Sequence, residues 1–119
     1  MKYDNPKASP VYRSKRDEIL STARDTTAHE NRGRTHGNVQ QNMQHTAALF
    51  SAYLGHLVTP TDVGQLMVLL KSSRIKSGIP ITDHFVDQAA YSAISGEMAY
   101  EAQNSLMAGV NNTGAREEE

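Results

Sequence analysis

Apolar residues at Val39, Met43, Ala47, Phe50 and Leu54 recur at steps of 4, 4, 3 and 4. That spacing keeps them on one face of an α-helix, whereas a strand would scatter them over both faces. A helix with one apolar stripe must bury it against another element, so this feature directs the chain toward helix-on-helix packing. The flanks agree. Asn38 supplies a capping side chain and Gly55 a residue suited to the C-terminal turn.

A second helix start is written at Thr59-Pro60-Thr61-Asp62. The hydroxyl falls at the N-cap, proline at N1, where its missing N–H costs nothing, and a carboxylate at N3 near the positive helix end. This helix is expected to bury Val63, Leu66, Met67 and Leu70, and to stop at Gly78 in the left-handed conformation. Ser14 and Asp17 resemble a capping box, which predicts an earlier helix from Lys15 to about Thr27 with Ile19, Leu20 and Ala23 as its stripe. A fourth helix is expected after Thr82, running to about Met107, with Phe85, Val86, Ala89, Ala93 and Tyr100 on one side.

The expected fold is therefore all-α, a compact four-helix arrangement. An extended N-terminal arm, 1–13, carries Pro6 and Pro10, a single helical domain spans 14–108, and a frayed, flexible acidic tail, 109–119, ends in Glu117-Glu118-Glu119. Composition supports it. Hydrophobic residues are 38% and aromatics 6% with no Trp, which suits small side chains between helices better than a β-sandwich. A chain of 119 residues makes one domain with a modest core, so a ligand site is expected to be shallow or shared, and a homo-oligomer is expected.

Several functions are disfavoured. Without cysteine there is no disulfide framework, thiolate metal site or cysteine nucleophile. The polar N-terminus does not read as a signal peptide, and no window of 18 apolar residues suggests a membrane span, so a soluble cytoplasmic protein is expected. The net charge of -1 gives no strong nucleic-acid signal. That near-neutrality hides a gradient: residues 1–34 hold 8 basic and 5 acidic side chains, residues 35–119 hold 4 and 8.

Candidate chemistry lies in two places. On the fourth helix Asp83, Asp87, Glu97 and Glu101 fall within about 80° of one another at 100° per residue. Carboxylates one turn apart can share a divalent cation or cationic side chains, or form a solvated outer face. On the third helix Arg74 lies in line with the apolar stripe and Lys71 about 60° from it, at 100° per residue. The two can grip a phosphate or pair with Asp83 and Asp87 across a helical hairpin. The loop around Gly33 and Gly37 adds Arg32, Arg34 and His36 before a helix N-terminus, a pattern compatible with an anion site or with a solvated turn. His45 and His56 lie three turns apart, too far to share a metal ion.

The segments Thr35-His36-Gly37-Asn38, Leu49 to Leu54, Thr59 to Val63, Met67 to Ile75 and Asp83 to Tyr91 resemble a family of small uncharacterised phage and prophage proteins. The resemblance covers roughly residues 15–100. It is distantly similar to the phage nucleotide-modification-associated domain and, more loosely, to all-α nucleotide pyrophosphohydrolases of MazG type. It implies that His36, Gly37, Asp62, Lys71, Arg74, Asp83, Asp87 and Tyr91 occupy shared positions, with Tyr91 at a pocket. His36, Phe50 and Ala90 stand where the family pattern has tyrosine, tryptophan and glycine. The second helix carries no carboxylate, so half of a MazG-type metal cage is missing, and Asp83 with Asp87 would make only a weak Mg²⁺ site.

The leading expectation is a phage accessory protein that binds a nucleotide or nucleotide-derived signal without catalysis or with weak catalysis, as an anti-defence sponge or an accessory of nucleotide metabolism. Lys71, Arg74, Arg34 and His36 would then take the phosphate, and Asp83, Asp87 and Asp62 would be structural or metal-adjacent. The alternatives are a protein-binding module that inhibits a host enzyme or acts in assembly, and a Mg²⁺-dependent nucleotide pyrophosphohydrolase.

Overall fold

A computed structural model describes residues 11–28 and 38–118, with side chains up to residue 109. Among the described residues there are four helices: α1 (Lys15–Ala28), α2 (Val39–Leu54), α3 (Pro60–Ser77) and α4 (Thr82–Glu118). The all-α expectation therefore holds. Residues 1–10, where the extended arm is expected, and 29–37, where the polar loop is expected, lie outside the described residues.

The helix starts follow local chemistry. The Asn38 side chain accepts from the Gln41 N–H at 3.1 Å. Thr59 and Asp62 form a complete capping box, with the Asp62 N–H donating to Thr59 Oγ1 at 3.1 Å and the Thr59 N–H to Asp62 Oδ2 at 3.0 Å. At α1 the Ser14 hydroxyl accepts from the Asp17 N–H, while Asp17 reaches one residue further back, to the Arg13 N–H. Gly55 ends α2 at φ 77°, a left-handed turn that its missing Cβ makes accessible.

Two ends differ from expectation. Gly78 is extended (φ -123°, ψ -159°) rather than left-handed, although its N–H still donates to the Arg74 carbonyl at 3.1 Å. Two residues on, Pro80 holds Ile79 out of the helical region, so the chain leaves α3 extended. Helix α4 continues to Glu118, well beyond Met107. No proline interrupts that stretch, and each added residue contributes one backbone hydrogen bond once a helix is running. At 1.5 Å per residue α4 is about 55 Å long, which accounts for most of the 62 Å long axis.

The centre of the fold is the antiparallel hairpin α3–α4. Its register is fixed by Ser95 against Thr61, Gln88 against Val68 and Ser72, and Asp87 against Lys71. The two helices approach closely at Gly64, where a Cβ would run into the Ser95 hydroxyl and stand 3.3 Å from the Ser95 Cα. Ser95 is buried and its hydroxyl donates to the Thr61 carbonyl at 3.2 Å. Two small apolar clusters flank the hairpin. Ala23 of α1 meets Val86 and Ala90 with Ile19 and Ala89 around them, and Ala47 of α2 meets Val58 and Val63 beside Met43.

The buried apolar residues are Ala23, Ala47, Val58, Val63, Val86, Ala90 and Met98. Several residues expected in the core are exposed, namely Leu20, Phe50, Leu54, Leu66, Leu70, Phe85 and Tyr100, and Ala93 joins them. Small side chains bring the helix axes close, which closes the core around Ala, Val, Gly and Ser and leaves the larger side chains at its margins.

Candidate functional site

Lys71 and Asp87 form an ion pair at 3.0 Å across the hairpin, with side-chain exposures of 11% and 36%. The antiparallel register puts Arg74, one turn after Lys71, level with Asp83, one turn before Asp87. Both Arg74 and Asp83 are exposed, and among the described residues no ion pair joins them. The four residues thus occupy two adjacent layers, the inner one closed by an ion pair and the outer one open to solvent. Arg74 lies on the rim and not within the apolar contact between the helices.

Tyr91 is half-buried one turn beyond Asp87 on α4. Asp62 belongs elsewhere. It sits in the first turn of α3, three turns from Arg74, where the backbone N–H and then the hydroxyl of Thr59 hold its carboxyl below the usual carboxylate value. Its role there is to cap the helix. Arg34 and His36, together with Arg32, lie outside the described residues.

The distal half of the acidic stripe has its own partner. Gln40 of α2 donates from Nε2 to Glu97 Oε1 at 3.2 Å and to Glu101 Oε1 at 2.6 Å, so one amide bridges the two carboxylates. Nothing in the sequence periodicity singles out Gln40, because the contact spans about sixty residues. Among the described residues no three His, Asp or Glu side chains converge to hold a metal ion. Asp83 and Asp87 would offer two carboxylates to a cation, and Asp87 is already engaged by Lys71.

On the other flank of α4 an open groove of about 540 Å³ runs between α1, α3 and α4, with Ile19, Leu20, Val68, Phe85 and Ala89 as its apolar lining and Arg16 at its edge. The sequence marks Ile19, Leu20 and Phe85 as apolar stripe residues but does not show that they stop short of closing on one another.

These features define an all-α domain built on a helical hairpin, with an ion pair across its middle and an open charged layer beside it. The chain belongs to the family described as a domain of unknown function, DUF6378, whose model matches residues 18–99. It is also 36% identical over 63 residues to the Gene 55 protein of Mycobacterium phage D29, a match that covers 53% of this chain and 42% of that protein. The chain thus spans less than half the length of this relative. Kinship with an uncharacterised phage protein is therefore found as expected. No solved structure matches. Among the described residues no helix is long and apolar enough to cross a membrane.

Proposed function

We propose that the protein binds the phosphate of a nucleotide or nucleotide-derived signal at the open layer of the α3–α4 hairpin, as a non-catalytic phage accessory protein. The observation that carries this reading is the exposed guanidinium of Arg74 one turn from the Lys71–Asp87 pair. Arg74 makes the first contact, because its planar fork matches two phosphate oxygens. Lys71 adds a second point of charge by exchanging Asp87 for a phosphate oxygen. A Mg²⁺ ion brought in by a polyphosphate would meet Asp83 and the Asp87 carboxylate that Lys71 releases. Tyr91, one turn along α4, supports the flank of the site, and Arg34 and His36 are the further phosphate ligands this reading assigns. The resemblance to the nucleotide-modification-associated domain and to MazG-type enzymes points to the same ligand class. With two carboxylates and no third to complete a metal cage among the described residues, the arrangement favours binding over pyrophosphate hydrolysis.

A thermal-shift panel of mono-, di- and cyclic nucleotides, with and without Mg²⁺, tests this. A ligand at ten times its Kd adds about 1.4 kcal/mol of stability, which raises the Tm of a domain of this size by roughly 5 °C or more. Arg74→Ala should abolish the shift and leave the melting of the free protein nearly unchanged, since the side chain is exposed. No shift from any nucleotide at millimolar concentration rejects the proposal.

A protein-binding module is the second reading, and the open apolar groove lined by Leu20, Val68 and Phe85 favours it. An amphipathic helix of a host enzyme fits a groove of that kind. Leu20→Asp should then abolish capture of the host protein while Arg74→Ala leaves it intact.

A further inference from the structure

We propose that the C-terminal half of α2 and the turn after it form the contact face of a symmetric homodimer. Helix α2 is anchored lightly. Its one buried residue is Ala47, which meets Val58 and Val63, and its polar ties include Ser51 to Val58 and Gln40 to Glu97 and Glu101.

Beyond that anchor, large apolar side chains stand in solvent: Leu49 at 57%, Phe50 at 39%, Tyr53 at 89%, Leu54 at 52% and, in the turn, Leu57 at 80% exposure. At 100° per residue the four on the helix span an arc of about 140°, so they form one patch and not isolated positions. With about 200 Å² for a fully exposed large side chain, the five present roughly 600 Å². Two copies would bury roughly 1,200 Å² between them, the lower edge of specific, stable interfaces.

Charge decides the occupant. No Asp, Glu, Lys or Arg occurs between Arg34 and Asp62, in a chain where such residues make up 21%. A two-fold contact brings each residue near its own copy or a close neighbour's, so any formal charge near the axis would meet its like. A segment without Asp, Glu, Lys or Arg avoids that penalty. It also offers nothing to steer or select a foreign partner by electrostatic complementarity. The residues present are those enriched in interface cores, with Tyr and Phe central and charge depleted.

The test is light scattering on the full chain together with site-directed crosslinking. At about 100 μM, well above a micromolar Kd, the wild type should elute at twice its 13.1 kDa mass. The double variant Tyr53→Glu/Leu57→Glu should elute as a monomer with an unchanged helical signal, its self-association weakened by more than about a hundredfold, because each hot-spot loss counts in both copies. If that variant fails to fold, crosslinking still decides. The chain has no cysteine, so Tyr53→Cys should give a disulfide-linked dimer under mild oxidation, while Arg24→Cys, exposed on α1, should not. A monomeric wild type at this concentration, a dimer that survives the double variant, or equal crosslinking at both positions overturns the proposal.

Discussion

Helices α2 and α3 are equally well marked at their ends, yet they are held in the fold by different means. Both have a capping side chain at the start and a glycine at the stop. Helix α3 lies along α4, tied by Ser95 to Thr61, Gln88 to Val68 and Ser72, and Lys71 to Asp87. Helix α2 buries Ala47 and leaves Leu49, Phe50, Tyr53 and Leu54 exposed. Caps therefore define where a helix begins and ends, but they do not determine how much of it the rest of the chain covers. Tertiary packing sets that, and it supplies most of a helix's stability in a protein.

The largest effect should come from the tight contact of Gly64 with Ser95 in the hairpin. Gly64→Val places a branched side chain where the Ser95 hydroxyl and backbone already lie, and overpacking of this kind with loss of the Ser95–Thr61 bond should cost about 3 kcal/mol or more. Urea denaturation followed by circular dichroism reads this as a fall in midpoint at constant slope. In Gly64→Ala, pairing with Ser95→Gly should recover part of the loss, because removing the hydroxyl clears the space. A Gly64→Ala protein as stable as wild type would mean that the helices separate freely there, and the contrast with α2 would fail.

A smaller loss is expected from the ion pair. Asp87→Asn leaves the largely covered Lys71 ammonium without its counter-charge, at about 1–2 kcal/mol, discounted because Asp87 itself is partly solvated. Lys71→Met with Asp87→Leu should restore most of that stability while removing any phosphate affinity. A double-mutant cycle in denaturant separates the pair's coupling from the individual losses.

For α2 the corresponding hinge is Ser51, whose hydroxyl accepts from the Val58 N–H at 2.8 Å and lies 2.8 Å from the Ala47 carbonyl and 3.1 Å from the Val58 carbonyl. Ser51→Ala leaves the Val58 N–H without that partner and should cost about 1 kcal/mol. Hydrogen exchange should show it as faster opening of 39–58, with the α3–α4 amides unaffected. Uniform acceleration over the whole chain would show instead that α2 and the hairpin open as one unit.

What the sequence discloses follows the same division. Asn38, Gly55 and the Thr59–Asp62 box act within one turn, so the helix starts and the end of α2 were legible. That Lys71 and Arg74 lie across a hairpin from Asp83 and Asp87 was legible as one of two readings, because a short turn brings the two helices back antiparallel, but which cation meets which carboxylate was not, since that depends on the exact register. The Gly64–Ser95 contact was not legible, since neither a glycine nor a serine within a helix signals what it faces. Gln40 between Glu97 and Glu101 was hidden by its distance along the chain. The stripes on α2 and α3 mark apolar faces, but periodicity cannot say whether this chain or another covers them, and so it places Phe50, Leu54, Leu66 and Leu70 in a core that excludes them.

The smallest effect concerns the cap that α3 has and α2 lacks, a carboxylate. The Thr59 backbone N–H, and secondarily its hydroxyl, lower the Asp62 carboxyl below its ordinary 3.8. A depressed folded value means that the unfolded chain binds the proton more readily, so the contribution is fully present above the unfolded value and is lost as pH falls through the folded one. The melting temperatures of wild type and Asp62→Asn should therefore differ at neutral pH, where only the wild type carries the charge near the positive end of α3, and converge as pH drops below about 4. Asn38→Ala at the uncharged cap of α2 should give a difference that stays nearly constant over the same range. If the Asp62→Asn difference were also constant, the cap would act through hydrogen bonding alone, and the ends of α2 and α3 would be equivalent in charge as well as in form.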